Sequence, residues 1–303
     1  MELPLTVNNK FSPMLSCGRS GLAWILNSIR CEKIYIPYYT CPVVPELLNK
    51  NGINISYYHI NEDMMPEKLP RLNNNEYFIY VNYFGVKDAA CKKLSKIFRK
   101  QLILDLTQAF FFSSKKQEKS FSSARKFFGV PDGCIVTGVD TEKIIFLARY
   151  NGADNSKHLL LRQDGKLSEG YNEFVRHGSS FQNMLQISEL SQNILQHIDL
   201  HSVAKRRFEN FSILHDALSS VNQLSGLHAT AALCYPCLLK NGSETKRKLC
   251  EKKIFIPTYW PHLGEELSDI EKNFVDNLVC LPIDQRYNEE DMKYILNNLM
   301  ELI

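Results

Sequence analysis

Between Lys33 and Leu106 short apolar strands alternate with amphipathic helices, and this alternation constrains the fold more than any other feature of the chain. The pattern predicts strands at Lys33 to Pro37, Ile53 to His59, Tyr77 to Asn82 and Leu102 to Leu106, with helices at Val43 to Asn49 and Ala89 to Phe98. Strands joined through helices need crossover connections, which make a mainly parallel sheet and put ligands beyond the carboxyl ends of the strands. Gly21 to Ile29 reads as a buried helix, because Leu22, Ile25, Leu26 and Ile29 recur at steps of three and four.

Further on, Ser113 to Ser120 reads as a solvated loop and Ile135 to Thr137 as a strand. An amphipathic stretch from Glu189 to Leu218 predicts one long helix or two consecutive ones. Behind it come strands at Ala229 to Leu239 and Lys253 to Pro257, and helices at Glu244 to Cys250 and Glu289 to Leu302. The expected organisation is a large α/β domain over 12–195 and a smaller α+β domain over 196–303, with 1–11 as an N-terminal arm.

Composition narrows the function classes. The chain has 303 residues and a formal charge of +3, too little excess to drive it onto a polyphosphate by charge alone, so nucleic acid is not expected as a partner. No apolar run approaches the roughly 20 residues that span a bilayer, and the first residues lack the apolar core of a signal peptide. A cytoplasmic protein is expected. Nine cysteines, an odd and scattered set, fit reduced thiols. Cys234 and Cys237 form a CxxC with no second half site, so no metal is expected.

Three features carry chemistry. Ser16-Cys17-Gly18-Arg19-Ser20 is a small-residue turn feeding a helix, whose free amides and dipole favour an anion such as a phosphate. Asp105 closes an apolar strand, which sets its carboxylate at the edge where α/β proteins hold ligands. Lys126, flanked by bulky apolar residues, is placed for burial, and burial lowers a lysine pKa toward nucleophilic reactivity; a lysine snorkelling from a strand end is the other reading. A carboxylate, a lysine and a phosphate nest are what pyridoxal 5'-phosphate requires.

The same residues carry a resemblance. Ser16 to Leu22, Ile36-Pro37-Tyr38-Tyr39-Thr40, Val81-Asn82-Tyr83-Phe84-Gly85, Leu104-Asp105-Leu106-Thr107-Gln108-Ala109, Lys126 with Pro131-Asp132-Gly133, Ile256 to Pro261, and Leu281-Pro282-Ile283 with Asn288 to Asp291 occur in the order seen in the DegT-type (DegT/StrS) sugar aminotransferases, which the chain resembles over nearly its whole length. The resemblance implies the aspartate-aminotransferase-like architecture, PLP fold type I. It implies Lys126 as the lysine that binds the cofactor and shuttles a proton, and Asp105 as the partner of the ring nitrogen. Gln108 would lie against the phenolic oxygen, and Gly18, Arg19 and Ser20 would hold the phosphate, with a hydroxyl from Ser122 or Ser123. It further implies a homodimer that moves an amino group from glutamate or glutamine to a nucleotide-linked keto sugar, for a surface polysaccharide or a glycosylated metabolite.

The chain also departs from the family pattern. Ser123-Ala124-Arg125 stand before Lys126 where the family places His, a small residue and Asn, and alignment from Ser120-Phe121 puts Arg125 at the lysine position; the distance to Pro131-Asp132-Gly133 favours Lys126. Cys41 replaces an aromatic that stacks on the ring in many members, leaving Tyr38 or Tyr39 to turn inward, with Tyr39 taken as the candidate. Between Asn151 and Gln192 the Asn-Tyr-Arg segment that reaches a neighbouring subunit is missing, and Ser180-Phe181-Gln182-Asn183 is its nearest substitute. Arg206-Arg207 and His262 read as a solvated helix face and a structural ring. Two rival functions follow: a family member with altered or lost catalysis that serves as a binding or scaffold subunit or acts on a different amino acceptor, and a nucleotide-binding α/β protein that uses Gly18 and Ser20. The second lacks a dinucleotide fingerprint and a P-loop.

Overall fold

The computed structural model describes residues 13–178, 183–261 and 263–303. In chain order the elements are α1 (Gly18–Asn27), β1 (Lys33–Pro37), α2 (Val43–Lys50), β2 (Asn54–Tyr58), β3 (Glu76–Val81), α3 (Asp88–Phe98), β4 (Leu102–Leu106), β5 (Lys119–Ser122), β6 (Val136–Thr137), α4 (Lys157–Gln163), α5 (Leu167–Gly178), α6 (Glu189–His197), α7 (Leu200–Leu218), β7 (Cys234–Leu238), α8 (Gly242–Glu251), α9 (Asp269–Asn277), β8 (Leu278–Pro282) and α10 (Glu289–Met300). The architecture is mixed α/β, and its larger sheet is mainly parallel. By backbone proximity the chain gathers into two units, one of the described residues up to Arg30 with Ile103–Asp199, the other of Cys31–Leu102 with Leu200–Ile303.

In the first unit β4 pairs in parallel with β5, from Ile103 opposite Lys119 to Leu106 opposite Ser122, and β5 pairs antiparallel with β6. Every residue of β4 and of β5 is buried. Helix α1 packs on β5. Gly21 permits this approach, since a Cβ there would stand 2.5 Å from Cys134 Sγ. Asp132, fully buried, accepts hydrogen bonds from Ser188 N–H (2.7 Å), Ser188 Oγ (2.6 Å) and Ser191 Oγ, and so fixes the start of α6.

In the second unit β1 lies between β2 and β3, parallel to both, and β7 pairs antiparallel with β8. Its core includes Tyr39, Tyr83, Trp260 and Phe274, with Tyr83 Oη donating to the Tyr39 carbonyl at 2.8 Å. Fully buried Glu271 caps α9, accepts from Ile60 N–H at 3.0 Å and pairs with His59 at 2.8 Å.

Two segments differ from the sequence expectation. Lys119 and Ser120, read as loop, begin β5; a strand of Lys, Ser, Phe and Ser has no apolar run to announce it. Lys253 to Pro257 is not a strand, because Lys253 takes a left-handed φ of 63° and the Ile254 N–H turns back to Leu249 O. The 189–218 stretch forms two consecutive helices, one of the two forms expected, with Ile198 in extended backbone between them. Among the described residues no helix is long and apolar enough to cross a membrane.

Candidate active site

Asp105 is 4% exposed at the end of β4. Its Oδ1 accepts the Thr107 N–H at 2.9 Å, the local turn that Asp side chains make with backbone two residues on. Burial pushes the Asp105 pKa above the ordinary carboxylate value, while the Lys126 charge and the Thr107 hydrogen bonds pull it back. Lys126 Nζ donates to Thr107 Oγ1 at 3.3 Å. Thr107 also touches the start of α1, where a Cβ on Gly18 would stand 3.0 Å from Thr107 Cγ2 and 3.7 Å from Ser122 O. One residue therefore meets the carboxylate, the lysine and the helix terminus.

The side chain of Lys126 is exposed, against the burial reading and in keeping with the snorkelling one. A single 3-10 turn, Ala124–Lys126, explains the difference: Ala124 is fully buried and Phe127 and Phe128 nearly so, and these three anchor the turn while Lys126 projects from it. Arg125 takes another course. Its guanidinium lies 5.7 Å from the Phe174 ring centroid, and burial lowers its pKa while Cys17, Tyr150 and Asp132 pull it back up. Of the two residues that could occupy the lysine position, Lys126 is the one that reaches Thr107.

Behind Arg125 is a group that the sequence did not announce. The rings of His158 and His177 stack at 4.6 Å, and His177 Nε2 lies 2.9 Å from Tyr150 Oη. Burial, then the Arg125 charge, lower the pKa of His158 to about 4 and that of His177 to about 3. Both rings come from α4 and α5, which occupy the region where the family's Asn-Tyr-Arg segment was sought.

The phosphate candidates divide between backbone and side chain. Helix α1 begins at Gly18 with Cys17 as its N-cap and no acidic residue in the first turn. The Ser20 hydroxyl is taken up by Ser16 Oγ (3.2 Å), Cys17 Sγ (3.4 Å) and Asn183 O (3.4 Å), and Arg19 Nη2 donates to Gly178 O at 2.6 Å. Ser122 Oγ accepts the Ile135 N–H at 3.1 Å and donates to Ile135 O at 3.4 Å. Ser123 is buried in extended backbone just before the 3-10 turn, and Gln108 is fully buried in the turn after Thr107. Tyr39 belongs to the second unit, enclosed by Tyr83, Trp260 and Phe274, while Tyr38 stacks on Tyr57 and His59.

Arg207 is a correction to the solvated-face reading. It is 1% exposed, with Nη1 donating to Ala232 O at 2.9 Å and Nε to Gln285 at 3.0 Å, so it ties α7 to the chain before β7. Arg206 is exposed and pairs with Glu209 at 3.5 Å. Cys234 and Cys237 are buried in β7, and no cluster of three metal-ligating side chains occurs among the described residues. The arm 1–11, Ser180 to Gln182 and His262 lie outside the described residues.

Neither a family model nor a curated protein sequence matches the chain. Solved structures do. A DegT/DnrJ/EryC1/StrS aminotransferase from Brucella abortus superposes with a TM-score of 0.64 at 14% identity, over 95% of this chain and 85% of that one. The sugar aminotransferase CalS13 from Micromonospora echinospora gives 0.63 at 12% identity, over 96% and 87%. NtdA from Bacillus subtilis, solved with bound cofactor PMP, gives 0.67 at 13% identity, over 95% and 72%. Likeness at this identity is likeness of fold, and the chain shares its fold with these aminotransferases.

Proposed function

We propose that the protein is a pyridoxal-phosphate-dependent aminotransferase acting on sugars. The observation that carries this reading is the convergence of Asp105, Lys126 and the Gly18 helix start on Thr107. The residues suit the cofactor: a buried carboxylate with a raised pKa gains from a cationic ring nitrogen, and a helix start without acidic residues accepts a phosphate. When bound, the cofactor supplies an electron sink. Lys126 would hold its aldehyde carbon and would carry a proton to and from the substrate carbon. Asp105 keeps the ring nitrogen protonated, and Gly18, Arg19 and Ser20 hold the phosphate through the backbone of α1. Gln108, Ser122 and Ser123 complete the pocket.

The finer reading follows the resemblance and the names of the structural neighbours. The donor is glutamate or glutamine, the acceptor a nucleotide-linked keto sugar, and the working form a cytoplasmic homodimer. The test is to mix the protein with pyridoxal phosphate, reduce with borohydride and map the modified lysine by peptide mass spectrometry. A label on Lys126, lost in Lys126→Ala, is the expected result; label spread over surface lysines refutes the assignment.

A second reading has its own observation. The Ser20, Arg19 and Ser122 side chains are engaged within the protein, which favours a family-like protein that holds the cofactor weakly and serves as a binding subunit. Weak cofactor uptake with no turnover on any sugar nucleotide would support it.

A further inference from the structure

We propose that Thr107 is the positioning residue of this site, fixing the Lys126 amine relative to the Asp105 carboxylate; the inference rests on the function proposed above. The Lys126 charge acts on Asp105. The Thr107 N–H binds Asp105 Oδ1 at 2.9 Å and the Thr107 hydroxyl takes the Lys126 Nζ at 3.3 Å, so one residue bonds both groups and bridges them.

The chemistry of threonine suits this task. A hydroxyl both accepts and donates, so Thr107 can hold Lys126 as an ammonium and again as the neutral amine that attacks a carbonyl. A carboxylate at this position would favour the ammonium alone. Branching at Cβ leaves few rotamers, and the Thr107 methyl is set against Gly18, where an added Cβ would come to 3.0 Å. With the methyl lodged there, the hydroxyl is aimed. An exposed lysine otherwise loses up to about 2 kcal/mol of side-chain freedom when it is ordered, and the hydroxyl offsets part of that cost before any ligand arrives.

The test compares the whole protein with Thr107→Val, which keeps the shape without the hydroxyl, and with Thr107→Ser, which keeps the hydroxyl. Two rates are read by peptide mass spectrometry: attachment of pyridoxal phosphate to Lys126 fixed by borohydride, and reductive methylation of Lys126 by formaldehyde without cofactor, each relative to the exposed Lys115 and Lys116. Loss of the hydroxyl is expected to slow cofactor attachment at Lys126 by about fivefold in Thr107→Val, because the amine is no longer held in place, and to leave methylation faster than in wild type, because the ammonium loses an acceptor, with the thermal midpoint unchanged and Thr107→Ser close to wild type in both. Thr107→Val rates equal to wild type, or Thr107→Ser rates equal to those of Thr107→Val, overturn the proposal. If wild type takes no pyridoxal phosphate at Lys126, the functional reading fails, and the methylation rates still decide the role of Thr107.

Discussion

The stacked pair His158 and His177 makes the fold sensitive to acid, with a sign and a size that can be worked out. Free histidine titrates near 6.5, whereas the folded values are about 4 and about 3 because burial and the Arg125 charge oppose protonation. As pH falls below 6.5 the unfolded chain takes up protons that the folded chain refuses. Stability contributed by the neutral rings is therefore complete above pH 6.5 and is lost progressively toward pH 4 and 3. At pH 5 this amounts to about 2 kcal/mol for a fully shielded ring. The two rings repel each other's protons, and water near the surface screens part of the effect, so about 2 kcal/mol for the pair is the figure to test. Urea unfolding at pH 7.5 and pH 5.0 measures it, in wild type and in the double variant His158→Phe with His177→Gln, the glutamine keeping a partner for Tyr150. Raised carboxylates such as Asp105 and Asp132 act with the opposite sign, but they are common to both proteins and cancel in the difference. Wild type should lose about 2 kcal/mol more than the variant between the two pH values. Equal losses within about 0.5 kcal/mol, the scale of ordinary surface substitutions, would refute the reasoning.

Two further outcomes follow from the same unit. Gly18→Ala places a methyl 3.0 Å from Thr107 Cγ2, and overpacking of this kind costs about 1 kcal/mol or more; differential scanning calorimetry should show a lower midpoint, recovered when Thr107→Ser removes the opposing methyl. Asp132→Ala leaves the Ser188 N–H and two buried hydroxyls without their acceptor, so denaturant titration should show a loss of about 3 kcal/mol or more, with Asp132→Asn intermediate.

The sheet was legible where period and burial agree. β1 and β4 fall on the residues read from the sequence, because Lys33 to Pro37 and Leu102 to Leu106 are short apolar runs between turn signals. β5 was not legible, since Lys119 and Ser120 are buried by the neighbours they meet rather than by their own apolarity. The helical hairpin of α4 and α5 was missed for a related reason. Leu160, Leu167, Tyr171 and Val175 are exposed, so the apolar residues of this segment do not mark a buried face, and the groups that are buried, His158, His177 and Gly170, carry no apolar period.

The site shows the same division at the scale of atoms. Sequence order selected Asp105, Lys126 and Gly18 because each sits where a strand or a helix ends, and ends of elements are marked by chemistry that spacing can reveal. It could not say whether the Ser20 and Ser122 hydroxyls were free, because their partners, Ser16 and Asn183 for one and the backbone of Ile135 for the other, are set by the path of the chain. Thr107 was the legible clue left unread. An Asp followed two residues later by a residue whose N–H it binds is a recognisable turn, and once Asp105 is placed in that turn, the side chain at 107 must stand next to its carboxylate. The choice of a hydroxyl there, in contact with Lys126, makes position 107 the place where this chain sets how its lysine is held, and so where a difference in rate from other proteins of the same fold should first be sought.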